Sequence, residues 1–432
     1  MWKASEYAGW GRVHRAEGEL ARPERARAVA ALASEGPALG ARRSYGDACL
    51  VDGGRAVDMG RLDRYLSFDP ENGLLTVEAG CALGQIAKDF AGRGWLPAVM
   101  PGTGFATVGG GIAMNVHGKN HHGAGAFGDH VTEIRLETPS GAKVAKPGEP
   151  LFLATVGGLG QTGIITQATL KLTACKGDLM MVTERRIPDL ETFCDLLDAS
   201  QATYTVGWID ATVWGDNLGR GILEEGETGS GLVPAAKRGK KVPFDAPGWA
   251  LSSPVVKTFN AAYYRRVPTS GRTVVKPIDD FFFPLDKIHD WNRLYGKAGF
   301  HQFQCVLPVD RRDALRKMMD KIARAGLASP LAVLKRMGPG SPGYLSFPTE
   351  GYTLAVDFPN RKGAAPLVHD LNAMTLEAGG RIYLAKDSIA TAAQVKAMYP
   401  DWQIWSEACD AVDPERSLIT DIVKRLELRA AT

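Results

Sequence analysis

Little in this chain marks a secreted, metal-stapled or membrane-spanning protein. Its six cysteines, at 49, 81, 175, 194, 305 and 409, include no CxxC pair and no zinc-like spacing. That excludes a disulfide framework or a structural metal as the organising device and leaves them as small core residues of a reducing compartment. No apolar run approaches the ~20 residues of a membrane span, and the opening MWKASEYAGWGRVHRAEGEL lacks the continuous apolar core of a signal peptide. The expected location is the cytoplasm, free or against the inner face of the membrane. Charge of one sign is missing too: a net charge of +3 argues against general nucleic-acid binding. What remains is the composition of a soluble globular protein, 45% hydrophobic and 23% charged. At 432 residues the chain is too long for one core and suits two domains or three.

Glycine, by contrast, is concentrated. Residues 101–130, PGTGFATVGGGIAMNVHGKNHHGAGAFGDH, hold nine glycines and four histidines. Glycine lets a backbone come within hydrogen-bonding distance of a ligand, and successive exposed N–H groups form a concavity that holds phosphate. Thr103 and Thr107 add hydroxyls. The segment leads into a strand over 132–138, where Ile134 and Leu136 alternate with Glu133, Arg135 and Glu137. It reads as a loop that grips a pyrophosphate. A second candidate contact is GARRSYGD at 40–47, which taken alone is equally a polar turn; two such loops converging on one long ligand outweigh either by itself.

Around these loops the pattern alternates. Residues 73–80 read as a strand, and Leu83, Ile86, Ala87 and Phe90 then recur at helical spacing until Gly92 and Gly94. Gly158, Gly160 and Gly163 form a formal GxGxxG, but a strand-like run over 164–172 follows where the dinucleotide fingerprint needs a helix, so a Rossmann reading is rejected. Residues 216–276, rich in glycine, proline and basic residues, read as a mobile region containing EEGETGSG and KRGKK. Beyond it come a strand over 302–307, a helix capped by Asp310 with Leu315, Met318, Met319 and Ile322 on one face and Gly326 at its end, and a strand over 331–334. The pattern then repeats with a strand over 353–358, a helix bearing Leu367, Leu371 and Met374, and a strand over 381–385. Two strand–helix–strand units suggest a ferredoxin-like half, a sheet with helices on one face. The basic end, DIVKRLELRA, reads as a helix docked back on the first domain.

PGTGFATVGGGIAMNVHGKNHHGAGAFGDH, GARRSYGD and ATVGGLGQTGIIT resemble the flavin-binding motifs of the vanillyl-alcohol oxidase (p-cresol methylhydroxylase) superfamily. HGKNHH, PLDKIHDWNRLYGKAGFHQFQ, LSFP and YLAKDS are similar to its decaprenylphosphoryl-ribose oxidase branch, from about residue 10 to the C-terminus. The resemblance implies an α+β, two-domain fold: an FAD-binding domain over 1–177 and 381–432, and a substrate-binding cap over 178–380 with an antiparallel sheet and helices on one face. It implies FAD on Arg43, Ser44, Tyr45, Gly46, Gly102, Thr103, Thr107, Gly109, Gly110, Ala113, His117, Gly118, Gly163, Ile164, Ile165 and Tyr383. Related enzymes with covalent flavin often carry a histidine in the segment matching GARRSYGD; here Arg43-Ser44 stands there, so the flavin is expected without a covalent bond.

Lys386, which on its own reads as a surface lysine, takes a catalytic role by resemblance, with His117 beside flavin and substrate. Lys119, Gln302, Gln304, Lys335 and Thr353 join Lys386 around the substrate. Alcohol oxidation needs a group that accepts the hydroxyl proton while hydride leaves for flavin N5, or one that stabilises the reduced anionic flavin; a lysine suits either. No metal is expected, because no carboxylate or cysteine cluster accompanies the four histidines.

The implied activity is oxidation of the 2′-hydroxyl of a polyprenyl-phosphoryl ribofuranose to the keto sugar, the first half of an epimerisation completed by an NAD(P)H-dependent reductase. KRGKK at 237–241 reads as a solvated lid or a contact for anionic headgroups. The chain departs from that branch with Thr353 and Ala355 where it has Asn and Cys, and with Phe282 in place of Tyr. Ala355 removes the thiol that covalent inhibitors of the branch attack, and resistance to them is expected. The alternatives are a flavoenzyme of a soluble alditol or aldonolactone, and a flavin-binding protein without catalysis.

Overall fold

The two glycine-rich loops sit at the junctions of two small sheets. In the computed structural model, which describes residues 2–232 and 239–429, the first sheet runs Lys3–Ala8, Arg15–Ala21, Arg55–Asp58, Ala38–Leu39 in spatial order. Its first pair is antiparallel and the others parallel. The second runs Tyr65–Asp69, Leu74–Glu78, Ile164–Ala174, Val131–Thr138, Gly141–Ala145, and Trp95–Pro97 pairs with the end of Ile164–Ala174. A strand therefore does follow the GxGxxG, as the rejection of a Rossmann unit requires. The alternation read over 132–138 buries Ile134 and Leu136 against Leu75, Val77, Ala168 and Leu170, and helix Leu83–Ala91 adds Leu83, Ile86 and Phe90 to the same core.

The remaining large sheet has eight strands and is two copies of one motif. Strand Leu179–Ile187, helix Leu190–Ala199, strands Tyr204–Ile209 and Gly221–Gly229, helix Ser253–Arg265 and strand Arg272–Pro277 form a βαββαβ unit whose strands lie in the spatial order fourth, first, third, second. Phe300–Leu307, Arg312–Ala325, Ala332–Met337, Gly351–Pro359, Ala364–Glu377 and Arg381–Ile382 repeat both succession and order. Both are ferredoxin-like, and their edge strands join through Gly207–Leu334 and Trp208–Val333. The sequence reading found only the second unit.

The first was hidden because residues 216–276 hold a strand and a helix where a mobile stretch was expected. Strand Gly221–Gly229, GILEEGETG, is polar because of its partners. Glu224 receives Arg266 at 3.2 Å and Lys276 at 3.0 Å, and the fully buried Glu184 beside it receives Arg266, Arg272 and Lys276 at 3.0, 2.7 and 2.9 Å. Of the KRGKK segment, Lys237 and Arg238 lie outside the described residues; Lys240 and Lys241 form a short parallel pairing with Ile288 and His289.

Three boundaries also differ. Helix Arg312–Ala325 has Arg311 as its cap residue, and Asp310 sits in the preceding 3-10 turn Val309–Arg311, so it does not cap. The strand expected over 381–385 is only Arg381–Ile382, since Lys386 and Asp387 N–H groups turn back onto the Tyr383 carbonyl at 2.9 and 3.1 Å. The C-terminal helix is short, Asp421–Arg425, but it docks on the first sheet's loops as expected: Arg425 holds Asp47 at 2.7 Å and Asp387 at 2.8 Å.

Candidate functional site

The two glycine-rich loops meet. A Cβ on Gly40 would stand 2.5 Å from the Thr107 hydroxyl, so only glycine lets GARRSYGD come this near the start of helix Val108–Ala113, where Thr107 accepts from Gly110 N at 3.2 Å. The first loop is fixed from the other side by YLAKDS. Tyr45 N donates to the Ala385 carbonyl at 2.9 Å, and a Cβ on Gly46 would stand 1.9 Å from the Asp387 carbonyl. Arg425 clamps the carboxylates of both segments. A third wall is Phe300–Leu307 with Gly351–Pro359, where Gln304 faces Ala355 and Val306 faces Thr353.

His117 and Lys386 stand where these walls converge. The Gln304 amide nitrogen lies 3.0 Å from His117 Nε2 and 3.1 Å from Thr353 Oγ1. Assigned from that network, Nε2 accepts, the imidazole is neutral and its proton sits on Nδ1. Burial first, then the nearby Lys335 charge, holds the ring well below the usual histidine range. Nδ1 is buried with no partner among the described residues. The ring packs against Tyr383 and Phe347, at 5.2 and 5.4 Å between centroids. Lys386 Nζ lies 3.7 Å from the centre of the Tyr45 ring.

Two further lysines are close by. Lys335 donates to the Gly118 carbonyl at 3.2 Å, and burial, then the charges of Lys119 and Lys386, lowers it to about 7. Lys119 donates to the Phe281 carbonyl and lies 4.1 Å from that ring's centre; burial lowers it to about 8. Three ammonium groups, each disfavoured by burial and Lys335 also by the other two, make a site that gains from an anion.

Sequence reasoning missed Asp357, in the run VDF. It is fully buried; Gln302 donates to its Oδ1 and Tyr295 to its Oδ2 at 3.1 Å. Burial drives the Asp357 carboxyl well above the usual range and Lys386 well below its own, and each group's charge supports the other's. The available signal was the alternation of the strand: Tyr352, Leu354, Val356 and Phe358 share one face, and Asp357 lies on the other with Thr353, which the sequence reading placed beside the substrate.

Some sequence-assigned residues serve the frame in this structure. The Thr103 hydroxyl and Gly104 N donate to Asp286 at 2.8 and 2.7 Å. Arg43 is sandwiched between Trp10 and Phe105, 4.2 and 4.6 Å from their ring centres. Ser44 receives Trp10 N through its carbonyl at 2.8 Å, and the Ala113 carbonyl receives Leu159 N at 2.9 Å. Gly109 N donates to Ala79 O at 2.8 Å, and a Cβ on Gly102 would meet nothing. Gly163 lies against the Glu137 carbonyl, Ile164 packs with Val29, Val57 and Leu62, and Ile165 joins the second sheet's core. His121 accepts from Gly338 N, and His122 and His130 bond backbone carbonyls. Among the described residues no group of three or more His, Cys, Asp or Glu is placed to hold a metal.

The family model described as an FAD binding domain matches residues 26–145, which contain both glycine-rich loops. The chain is 38% identical over 426 residues to the decaprenylphosphoryl-β-D-ribose oxidase of Mycolicibacterium smegmatis, covering 93% of this chain and 92% of that one. It belongs to that family. An uncharacterized protein of Streptomyces coelicolor is 32% identical over 80% of this chain and 100% of its own length, and the L-gulono-1,4-lactone dehydrogenase of Mycobacterium tuberculosis is 22% identical over 90% and 89%. The protein is thus an FAD-dependent oxidoreductase with the two-domain α+β fold of the vanillyl-alcohol oxidase superfamily. The residues present fit FAD: His117 Nδ1 and Arg43 Nε are buried without partners among the described residues.

Proposed function

We propose that the protein oxidises the 2′-hydroxyl of a polyprenyl-phosphoryl-β-D-ribofuranose to the 2′-keto sugar, using FAD held without a covalent bond. The observation that carries this is the meeting of Lys119, Lys335 and Lys386 around a neutral histidine, which suits a sugar bearing a phosphate diester better than a neutral one. The relative of 38% identity, named for that ribose oxidase, supports the same substrate. The lactone dehydrogenase, at 22%, is the relative behind the rival reading of a soluble alditol or lactone.

Bound FAD supplies the two-electron acceptor. The chain's own part is to hold the sugar and manage one proton. Lys386, lowered by burial, can take the hydroxyl proton when neutral or offset developing negative charge when protonated. His117, neutral and held by Gln304, offers one N–H donor at Nδ1. Gln302, Gln304 and Thr353 line the sugar position, and Lys119 and Lys335 oppose the phosphate. The flavin-holding part in this reading is 1–177 with 381–432, tied by Arg425, and 178–380 is the cap.

A keto sugar needs a separate NAD(P)H-dependent reductase to complete an epimerisation, and a lipid-linked substrate calls for a protein that works beside a bilayer from the cytoplasmic side. Among the described residues no helix is long and apolar enough to cross a membrane. The test is anaerobic mixing with a short-chain prenyl-phosphoryl ribose: the flavin absorbance bleaches. An unchanged spectrum with intact FAD, or bleaching by aldonolactones alone, refutes the reading.

A further inference from the structure

We propose that the surface formed by Phe244, Trp249, Val255 and Phe259, flanked by Lys240 and Lys241, seats the protein on an anionic lipid bilayer. The inference deepens the lipid-linked-substrate reading and rests on it for its purpose.

Trp249 is 71% exposed, Phe244 66%, Phe259 50% and Val255 42%. Isolated exposed apolar residues are ordinary, but four large ones within sixteen residues are a patch. They lie on connected elements. Val255 and Phe259 are one turn apart on helix Ser253–Arg265, whose adjacent side buries Val256 and Asn260. Trp249 belongs to the 3-10 turn Gly248–Leu251 that leads into that helix. Phe244 lies on the strap before it, which is bonded to the segment after Phe283 through Val242 N to His289 O at 3.0 Å and Ala246 N to Arg293 O at 2.8 Å. Ile288 and Leu294, on that second segment, are exposed as well.

The stretch of chain that carries the four residues is predominantly basic. Between residues 239 and 278 the sequence holds seven lysines and arginines and one acid, Asp245. Asp245 is consumed by Arg12 at 2.6 Å and Arg293 at 3.4 Å. Arg266, Arg272 and Lys276 are in turn consumed by Glu184. That leaves Lys240, Lys241 and Arg265 exposed, with Lys241 facing Asp290 at 3.5 Å, while Lys257 lies over the Trp214 ring on the other face of the helix. Aromatic side chains flanked by lysines are the composition of a surface that lies in the headgroup region of an anionic bilayer.

Position agrees with chemistry. The inner side of the segment after Phe283, to which the strap is bonded, closes the candidate site: Tyr295 donates to Asp357 at 3.1 Å, Asn292 to the Trp10 carbonyl at 3.1 Å, and Asp286 receives Thr103 and Gly104. A bilayer against the outer side brings the source of a lipid-linked sugar to the wall of its pocket.

The test uses the full-length FAD-loaded protein, sedimented with vesicles of phosphatidylcholine alone and of phosphatidylcholine with one quarter phosphatidylglycerol. Binding is expected to the second, weakened by salt. Phe244→Ser/Trp249→Ser/Phe259→Ser is expected to weaken it at least about tenfold, and each of Lys240→Ala and Lys241→Ala roughly fivefold. Flavin content and turnover of the water-soluble short-chain substrate should be unchanged in all of them. No binding by the wild type, or equal binding by the triple variant, overturns the proposal. So does a concentration-dependent dimer that the triple substitution abolishes while lipid stays unbound, which would assign the face to a second copy. Vesicle binding without turnover of the short-chain substrate sinks the substrate reading and leaves the surface standing.

Discussion

Asp357→Asn separates the electrostatics of the site from its shape. Asparagine is isosteric, and its oxygen can still accept from Gln302 while its amide donates to the Tyr295 hydroxyl, so the hydrogen bonds to Asp357 survive. What is lost is one negative charge that favours protonated Lys386. An opposite charge in such a site moves a partner's pKa by about one to three, and the lower end applies because Lys386 is only half-buried. One pH unit is about 1.4 kcal/mol. The pH at which Lys386 loses its proton is therefore expected to fall by about one unit.

The assay is the pH profile of kcat/KM from anaerobic flavin reduction. If neutral Lys386 is the base, the rising limb moves to lower pH and the variant gains activity on the acid side. If protonated Lys386 stabilises charge, the falling limb moves to lower pH and the variant loses activity near neutrality. Superimposable profiles, with flavin content and melting temperature unchanged, would refute the coupling and with it the place of Asp357 in the site.

Three other perturbations test the frame. Arg425→Ala leaves Asp47 and Asp387 buried without their cation and should cost about 3 kcal/mol, read as a fall in the denaturant midpoint and in FAD retention; Arg425→Lys should recover only part, because one ammonium cannot serve both carboxylates with the guanidinium's geometry. Gly46→Ala puts a Cβ against the Asp387 carbonyl and should yield protein that purifies with little flavin, whereas Gly53→Ala, where a Cβ would meet nothing but φ is +68°, should cost only about 1 kcal/mol. Burial raises the Glu184 carboxyl, but Lys276, Arg272 and Arg266 outweigh it and bring it down to about 2. Its stabilisation is complete above the unfolded value near 4.5 and is lost as pH falls towards 2. Acid titration of Glu184→Gln should accordingly lose part of the wild type's dependence of stability on pH over that window, about 3 kcal/mol in all.

What could be read from the residues was whatever repeats or whatever glycine permits. The strand at Val131–Thr138, the helix at Leu83–Ala91 and the second ferredoxin-like unit follow from alternation and helical spacing, and the convergence of the two glycine-rich loops from glycine density. The first ferredoxin-like unit was not legible, because the acids in Gly221–Gly229 are balanced by Arg266 and Lys276, some forty to fifty residues away, and a local window sees only a polar run. Asp357 escaped for a related reason: its partners Tyr295, Gln302 and Lys386 come from three separate segments. Lys386 itself was legible only by resemblance, since nothing in YLAKDS announces that a lysine will be drawn into the interior over Tyr45.

The clamp at Arg425 has a consequence for biosynthesis. Asp47 and Arg425 are 378 residues apart, so on the ribosome the Asp47 loop waits for its counter-ion while those residues are made. At about 5 to 20 residues per second that interval is roughly 20 to 75 seconds. Cofactor capture is then expected only after Arg425 has been made, and nascent chains stalled before it are expected to be colourless.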